Sequence, residues 1–288
     1  MRRPGTLYII GTPIGNLDDI SHRALETLKA VDVIAAEDTR HTGKLLHHFQ
    51  ISTAQLSYHQ HNIQQRTPEL VEKLCSGQTI ALVTDAGMPG ICDPGWELIQ
   101  ACIKAEISVV PIPGPVAAIA ALVASGLPTH RFCFEGFLPT KTKDRRDRLA
   151  QLQRERRTMI LYESPHRLRQ TLADLSQTCG EDRPLVLARE LTKRFETFWR
   201  GSLSEAIAFH RDHDPRGEYT LVLGGATATD PDYSDDQLLK LLQEKLQQGI
   251  SPSQASKELA QRYPIPRRRL YQLTLQIIPN SPSDPPAD

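Results

Sequence analysis

Short runs of aliphatic and β-branched residues alternate, over the first 112 positions, with longer stretches in which apolar residues recur every three or four places. Residues 6–10 (TLYII) predict a strand and residues 21–30 (SHRALETLKA) a helix behind it. Residues 31–36 (VDVIAA) predict a second strand and 39–49 a second helix, while 79–84 (TIALVT) and 107–112 (ISVVPI) repeat the strand signal. Such alternation predicts a largely parallel sheet, and loops at the carboxyl ends of its strands are where sheets of this kind bind ligands. The Gly- and Pro-rich stretches fall at those loops, which makes the first half the expected ligand-binding half.

Residues 111–115 (PIPGP) break the pattern, because proline suits neither helix interior nor central strand and glycine permits tight turns. The expected domain boundary lies there, with an N-terminal α/β domain over 1–113. Strand signals at 132–135, 158–163, 185–190, 195–200 and 219–223 have helices between some and not others, so a second α/β domain with a mixed sheet is expected over 114–228. Residues 226–233 are small and polar and suit a linker. Helices are expected at 235–248, 253–262 and 267–275, within a small helical domain of 229–278. Residues 279–288 carry four prolines and no apolar periodicity, so a disordered tail is expected.

Composition narrows the classes. Apolar residues make up 39% and charged residues 24% of the 288, and no run reaches the roughly 18 apolar residues of a membrane span. The opening MRRPGTLYIIG is basic and then apolar for only a few positions, so no secretory signal is expected and the location expected is cytoplasmic. Five cysteines without CxxC or zinc-site spacing fit reduced thiols and no metal. Lys plus Arg and Asp plus Glu both total 34, so any nucleic-acid signal must be local. It lies in 141–148 (KTKDRRDR), 154–157 (RERR) and 267–269 (RRR), although such runs are more often solvated surface.

Candidate chemistry sits in the glycine loops. Residues 11–16 (GTPIGN) lack both the GxGxxG spacing of a dinucleotide site and the GxxxxGK(S/T) of a P-loop, which removes the chief support for a nucleoside triphosphatase. Residues 84–95 (TDAGMPGICDPG) hold three glycines, two prolines and two aspartates directly after a strand, a composition that suits no regular element. Of the two acids, Asp85 is expected to meet a ligand and Asp93 to cap a helix.

Taken in order, GTPIGNLDDIS, AAEDTRHTGKLL, TDAGMPGICDPG, PIPGP, FEGFLP, LYESPHR, ARELTK and RGEYTLV resemble the tetrapyrrole-methylase superfamily over about residues 5–225, and specifically its ribosomal RNA branch. SPSQASKELAQRYPIPRRRLY resembles the small helix-turn-helix-like domain those enzymes carry. The resemblance implies two α/β domains with S-adenosylmethionine in the cleft between them, no metal, and a homodimer. It implies methylation of the 2′-hydroxyl of a cytidine in the decoding region of 16S rRNA, with the rRNA or the small ribosomal subunit as partner. Cofactor contacts would fall on Pro13, on Asp85, Ala86, Gly87 and Ile91, on Val116 and Ala117, on Tyr162 and Glu163, and on Ala188 and Arg189. The chain departs from the family pattern at Thr84, Met88, Cys92 and Val116; a valine keeps a backbone contact but loses a hydroxyl one.

A ribose hydroxyl needs a proton acceptor as it attacks. Glu163 is the first candidate, because it ends an apolar strand at the expected lip of the cleft, with a helix-terminal carboxylate as its ordinary alternative. His166, Glu37, Asp38, Glu190 and Lys193 are the others. RNA contacts are expected at Arg40 and Lys193 and at Arg267, Arg268 and Arg269 of the tail. A methylase of small tetrapyrrole precursors and a non-catalytic rRNA assembly factor are the alternative readings.

Overall fold

A computed structural model describes residues 4–226, 235–262, 265 and 267–277. Residues up to Ala226 form one compact unit and the remainder a second. The expected linker beyond Ala226 and the expected tail lie outside the described residues.

The first sheet is built by β1 (Thr6–Ile10), α1 (His22–Ala30), β2 (Val33–Ala36), α2 (Thr39–His48), β3 (Gln55–Ser57), α3 (Ile63–Cys75), β4 (Ile80–Val83), α4 (Trp96–Lys104) and β5 (Ser108–Ile112). Its five strands run in the order β3-β2-β4-β1-β5, all parallel. Both faces are covered, as parallel sheets require. Leu7 and Ile9 of β1 pack with Ile80 and Leu82 of β4 on the face shared with α3 and α4. Ile10 packs with Ala81 and Val83 on the opposite face, under Ala24 and Leu28 of α1 and Leu46 of α2. All four inter-element loops that carry glycine or acidic motifs therefore leave one carboxyl edge.

Of the elements of this sheet, β3, α3 and α4 were not among those expected from the sequence. β3 is three half-buried residues at the sheet edge, too short to alternate, and α3 contains Pro68, which reads as a helix breaker.

The second sheet follows α5 (Ala117–Ser125) and is made by β6 (Phe132–Phe137), α6 (Thr142–Leu152), β7 (Thr158–Glu163), α7 (Pro165–Cys179), β8 (Pro184–Arg189), β9 (Thr197–Ser202), α8 (Leu203–Asp212) and β10 (Tyr219–Leu223). The order is β6-β7-β10-β8-β9, with β6 parallel to β7 and the remaining pairs antiparallel. Alternate residues again divide between two cores. Met159, Leu161, Leu187 and Leu221 face α7 and α8, and Ile160, Val186, Ala188 and Val222 face Ala118, Ala121 and Leu122 of α5. β9 starts two residues later than its apolar pattern predicts. Glu190 and Thr192 adopt positive φ and the Glu196 carboxylate accepts from the Thr192 N–H, which holds the preceding residues in a turn.

In the second unit, α9 (Asp235–Gln247), α10 (Pro252–Arg262) and α11 (Arg267–Ile277) bury Leu238, Leu242, Ala255, Leu259, Leu270 and Leu273 among themselves. No described helix is long and apolar enough to cross a membrane.

Candidate functional site

The loop after β1 and the loop after β4 are joined by a two-bond antiparallel bridge. Thr12 N–H donates to the Gly87 carbonyl at 2.9 Å and Gly87 N–H returns the bond to Thr12 at 3.1 Å. Gly87 has φ of +79°, a conformation that a side chain would strain. The linker after β5 meets the same loop backbone to backbone: a Cβ on Gly114 would stand 2.7 Å from the Gly11 carbonyl oxygen. Gly114→Ala is accordingly expected to push these loops apart and to weaken ligand binding more than tenfold, read by calorimetric titration with the methyl donor that the sequence resemblance implies; unchanged affinity would show that the close approach is dispensable.

Between this edge and the second sheet lies a cavity of 410 Å³. Ala86, Gly87, Met88, Ile91 and Asp93 line it from the first sheet's loops. Val116 and Ala117 line it from the start of α5, Phe137 from β6, Tyr162 to Pro165 from the β7–α7 junction, and Ala188, Leu191 and Glu218 to Thr220 from the far strands. Most of the wall is apolar. Its ionisable carboxyls are Asp93, Glu163 and Glu218, and among the described residues no Lys, Arg or His side chain lines it. That electrostatic lining suits a ligand with positive charge and opposes a polyphosphate.

Ala86, Gly87, Ile91, Val116, Ala117, Tyr162, Glu163 and Ala188, singled out in the sequence, come together here. Pro13 and Asp85 lie instead on a neighbouring cavity of 230 Å³. Arg189, at the end of β8, donates from Nε to the Arg216 carbonyl at 2.6 Å. Tyr162 is fixed twice: its ring packs edge-on to Phe134, and its hydroxyl accepts the Ala118 N–H at 3.2 Å. It thereby takes a free amide at the start of α5, where Val116 supplies no side-chain cap.

Neither aspartate of residues 84–95 caps a helix, and Asp85 lines the smaller cavity. Asp85 ties loops together, accepting the Asp38 N–H at 3.2 Å while its own N–H donates to the Glu37 carboxylate at 3.3 Å. Asp93 caps nothing: the residue before α4 is Gly95, with φ of +150°, and no side chain caps that helix. Asp93 stands at the cavity wall, and burial, together with the charges of Glu37 and Asp85, pushes its carboxyl up to about 6. Glu37 is itself raised, by burial first and by Asp85 second, against the Asp85 N–H that lowers it. Spacing along the chain could not separate the two acids, since both follow the same strand within one loop.

Glu163 is buried, with its side chain 1% exposed. Oε1 accepts the Ser164 N–H at 2.9 Å and lies 3.6 Å from Arg167 Nε, and Oε2 accepts the Thr171 hydroxyl at 2.5 Å. Thr171 in turn accepts from Arg145, which pairs with Asp174 at 2.7 Å. The carboxylate is therefore turned onto the first turns of α7.

Four of the five expected RNA-contacting cations have internal partners. Arg40, 89% exposed, forms a two-pronged pair with Asp38, and its two bonds hold the Asp38 carboxyl well below the usual range. Lys193 donates to Glu190 at 3.0 Å and Glu218 at 2.7 Å. In the second unit Arg269 pairs with Asp235 and Arg267 donates to Ser253 Oγ, while Arg268 is exposed.

Fold and site define a two-sheet α/β protein with an acidic, largely apolar ligand cavity at the carboxyl edge of its parallel sheet. Residues 6–207 match the family model for tetrapyrrole (corrin/porphyrin) methylases. Ribosomal RNA small subunit methyltransferase I of Synechocystis sp. is 57% identical over 274 residues, covering 95% of this chain and 98% of its own. The protein of that name from Escherichia coli O157:H7 is 49% identical, covering 94% and 95%. Uroporphyrin-III C-methyl transferase from Thermus thermophilus, solved in complex with S-adenyl homocysteine, shares the fold with a TM-score of 0.53 at 19% identity, over 76% of this chain and 97% of its own. The chain thus belongs to the tetrapyrrole methylases, within the family of ribosomal RNA small subunit methyltransferase I.

Proposed function

We propose that the chain transfers the methyl group of S-adenosylmethionine to the 2′-hydroxyl of a cytidine in the decoding region of 16S rRNA, acting in the cytoplasm as a homodimer. The names of the relatives support the rRNA substrate. The observation that carries the cofactor is the cavity lining, in which carboxylates and apolar walls surround a space without a basic side chain. A sulfonium bearing an ammonium group fits that field, whereas a dinucleotide would bring phosphates to meet carboxylates.

When bound, S-adenosylmethionine supplies a methyl group on a positively charged sulfur. Ile91, Phe137, Ala188 and Leu191 would offer apolar walls to its purine, and backbone groups at the start of α5 would remain for its polar end. Pro13, Asp85 and Arg189 would close the site from its edges. The chain's task is positional: it must hold the acceptor hydroxyl against the bound methyl donor and keep water out. The hydroxyl would give up its proton to a base of the chain as it accepts the methyl group. Asp93 fills that role better than Glu163: both line the cavity, but Asp93 has no hydrogen bond or ion pair to any described residue and its carboxyl is pushed up to about 6. Lys193 and Arg40 meet phosphate only by exchanging their carboxylate partners, which makes binding strongly salt-dependent. For the homodimer, α4 offers Trp96 and Ile103, 60% and 63% exposed and on one helix face.

The test is incubation of the purified chain with methyl-labelled S-adenosylmethionine and 30S subunits, naked 16S rRNA or a porphyrin precursor. Label on a ribose of the rRNA is expected. Label in the precursor would overturn the substrate assignment, and RNA binding without label would replace it with an assembly role.

A further inference from the structure

The smaller cavity, of 230 Å³, begins where the main one ends. Thr12 and Pro13 line it where Ile14 lines the main cavity, and Thr84 and Asp85 line it where Ala86 and Gly87 line the main cavity. The Thr12–Gly87 bridge thus stands at the junction of the two spaces. From the other side α2 contributes His41, Lys44 and Leu45, three and four residues apart and so on one face. Unlike the main cavity, this one brings two basic side chains to its wall beside the single carboxylate of Asp85, which is engaged by the Asp38 N–H, and Lys44 forms no ion pair among the described residues.

One residue of its wall carries an unanswered polar group. Thr84 is 1% exposed, and its hydroxyl has no hydrogen-bond partner among the described residues. A buried hydroxyl without a partner costs on the order of 1–3 kcal/mol, and Val would fill the same space without that cost. The neighbouring Thr12 hydroxyl is satisfied by the Thr84 carbonyl at 3.0 Å, so local packing does not consume the Thr84 side chain.

We infer that this second cavity holds the ribose–phosphate of a nucleotide flanking the methylated one. A ribose hydroxyl, both donor and acceptor, completes the bond that Thr84 Oγ1 lacks, and Lys44 with His41 faces the phosphate. The inference rests on the reading of the chain as an rRNA methyltransferase. It divides the labour by charge: the cavity without basic groups takes the cationic cofactor, and the one with them takes the anionic strand. The separation also places the strand beside the methyl donor and across the bridge from it.

Thr84→Val, Thr84→Ser and Lys44→Ala separate this role from a structural one. Each is assayed for cofactor affinity by calorimetry and for steady-state methylation of 30S subunits. Thr84→Val is expected to fold with equal or higher thermal stability, to bind S-adenosylmethionine within twofold of wild type, and to raise KM for subunits about tenfold with kcat little changed. Thr84→Ser, which keeps the hydroxyl, restores KM. Lys44→Ala raises KM and makes it less dependent on salt. An unchanged KM in Thr84→Val overturns the inference, as does a loss of cofactor affinity, which would put the cofactor in the second cavity. A wild-type chain that transfers no label to subunits overturns the functional reading and this inference with it, whereas an active wild type beside an unchanged Thr84→Val overturns the inference alone.

Discussion

Asp93→Asn is expected to lower kcat for rRNA methylation by about 100-fold or more while making the protein more stable at pH 8. Both effects come from one arrangement. Asp93 shares its surroundings with Glu37 and Asp85, and burial together with their charges raises its carboxyl from 3.8 to about 6; Cys92 and Tyr162 are the other titratable groups whose ionisation it influences. A carboxyl whose folded value is raised binds its proton more tightly in the folded state. Its stabilising contribution is therefore complete below about pH 4 and is lost as the pH rises through 6. Above that the wild type carries a charge its surroundings oppose, and Asn removes it, for a gain of about 1 kcal/mol after allowance for the partial exposure of the site. Thermal melts at pH 8 and pH 4 check the sign: the mutant's advantage should be present at the first and absent at the second. Turnover checks the chemistry. Wild-type kcat should fall as the pH drops below about 6, and the residual activity of Asp93→Asn should lack that limb. A mutant with wild-type turnover would remove Asp93 from the proton transfer, whatever its stability.

The parts of this molecule legible in its sequence are those in which one physical signal dominates. Leu7 and Ile9 alternate with Tyr8 and Ile10 because β1 is buried on two faces, and the same alternation in β4, β7 and β10 follows from the same sandwiching. The ligand loops were legible because glycine and proline must collect where backbone approaches backbone, as Gly11 and Gly114 do. What escaped was anything decided by long-range geometry. β3 forms because β2 presents an edge to Gln55–Ser57, and three half-buried residues carry no period of their own. Asp85 and Asp93 are alike in type and setting, and only the approach of Asp38 and Glu37 commits the first to tying loops and leaves the second at the cavity wall. Thr84 reads as the end of a strand; its missing partner becomes visible only once the Thr12 hydroxyl has been seen to take the Thr84 carbonyl.

Glu163→Gln should show the opposite pattern to Asp93→Asn: a less stable protein whose folded fraction still turns over. The Glu163 carboxylate, its side chain 1% exposed, answers the Ser164 N–H and the Thr171 hydroxyl and lies beside the Arg167 guanidinium. An amide of the same shape offers one acceptor oxygen instead of two, and its NH₂ must face either a backbone donor or a hydroxyl already held by Arg145. The substitution also leaves Arg167 without its carboxylate, retaining only the bond from Nη2 to the Leu138 carbonyl at 2.6 Å. Loss of one charge-assisted bond and exposure of one buried donor together should cost about 2–3 kcal/mol, a drop readily seen in urea titration. Measured well below the melting temperature, kcat should stay within about tenfold of wild type, because the group removed holds the start of α7 and the Arg145–Asp174 pair behind it. Asp93→Asn and Glu163→Gln thereby form a crossed pair, one separating activity from stability in each direction. A Glu163→Gln enzyme that is fully folded yet inert would reverse the assignment and return the proton to the carboxylate at the end of β7.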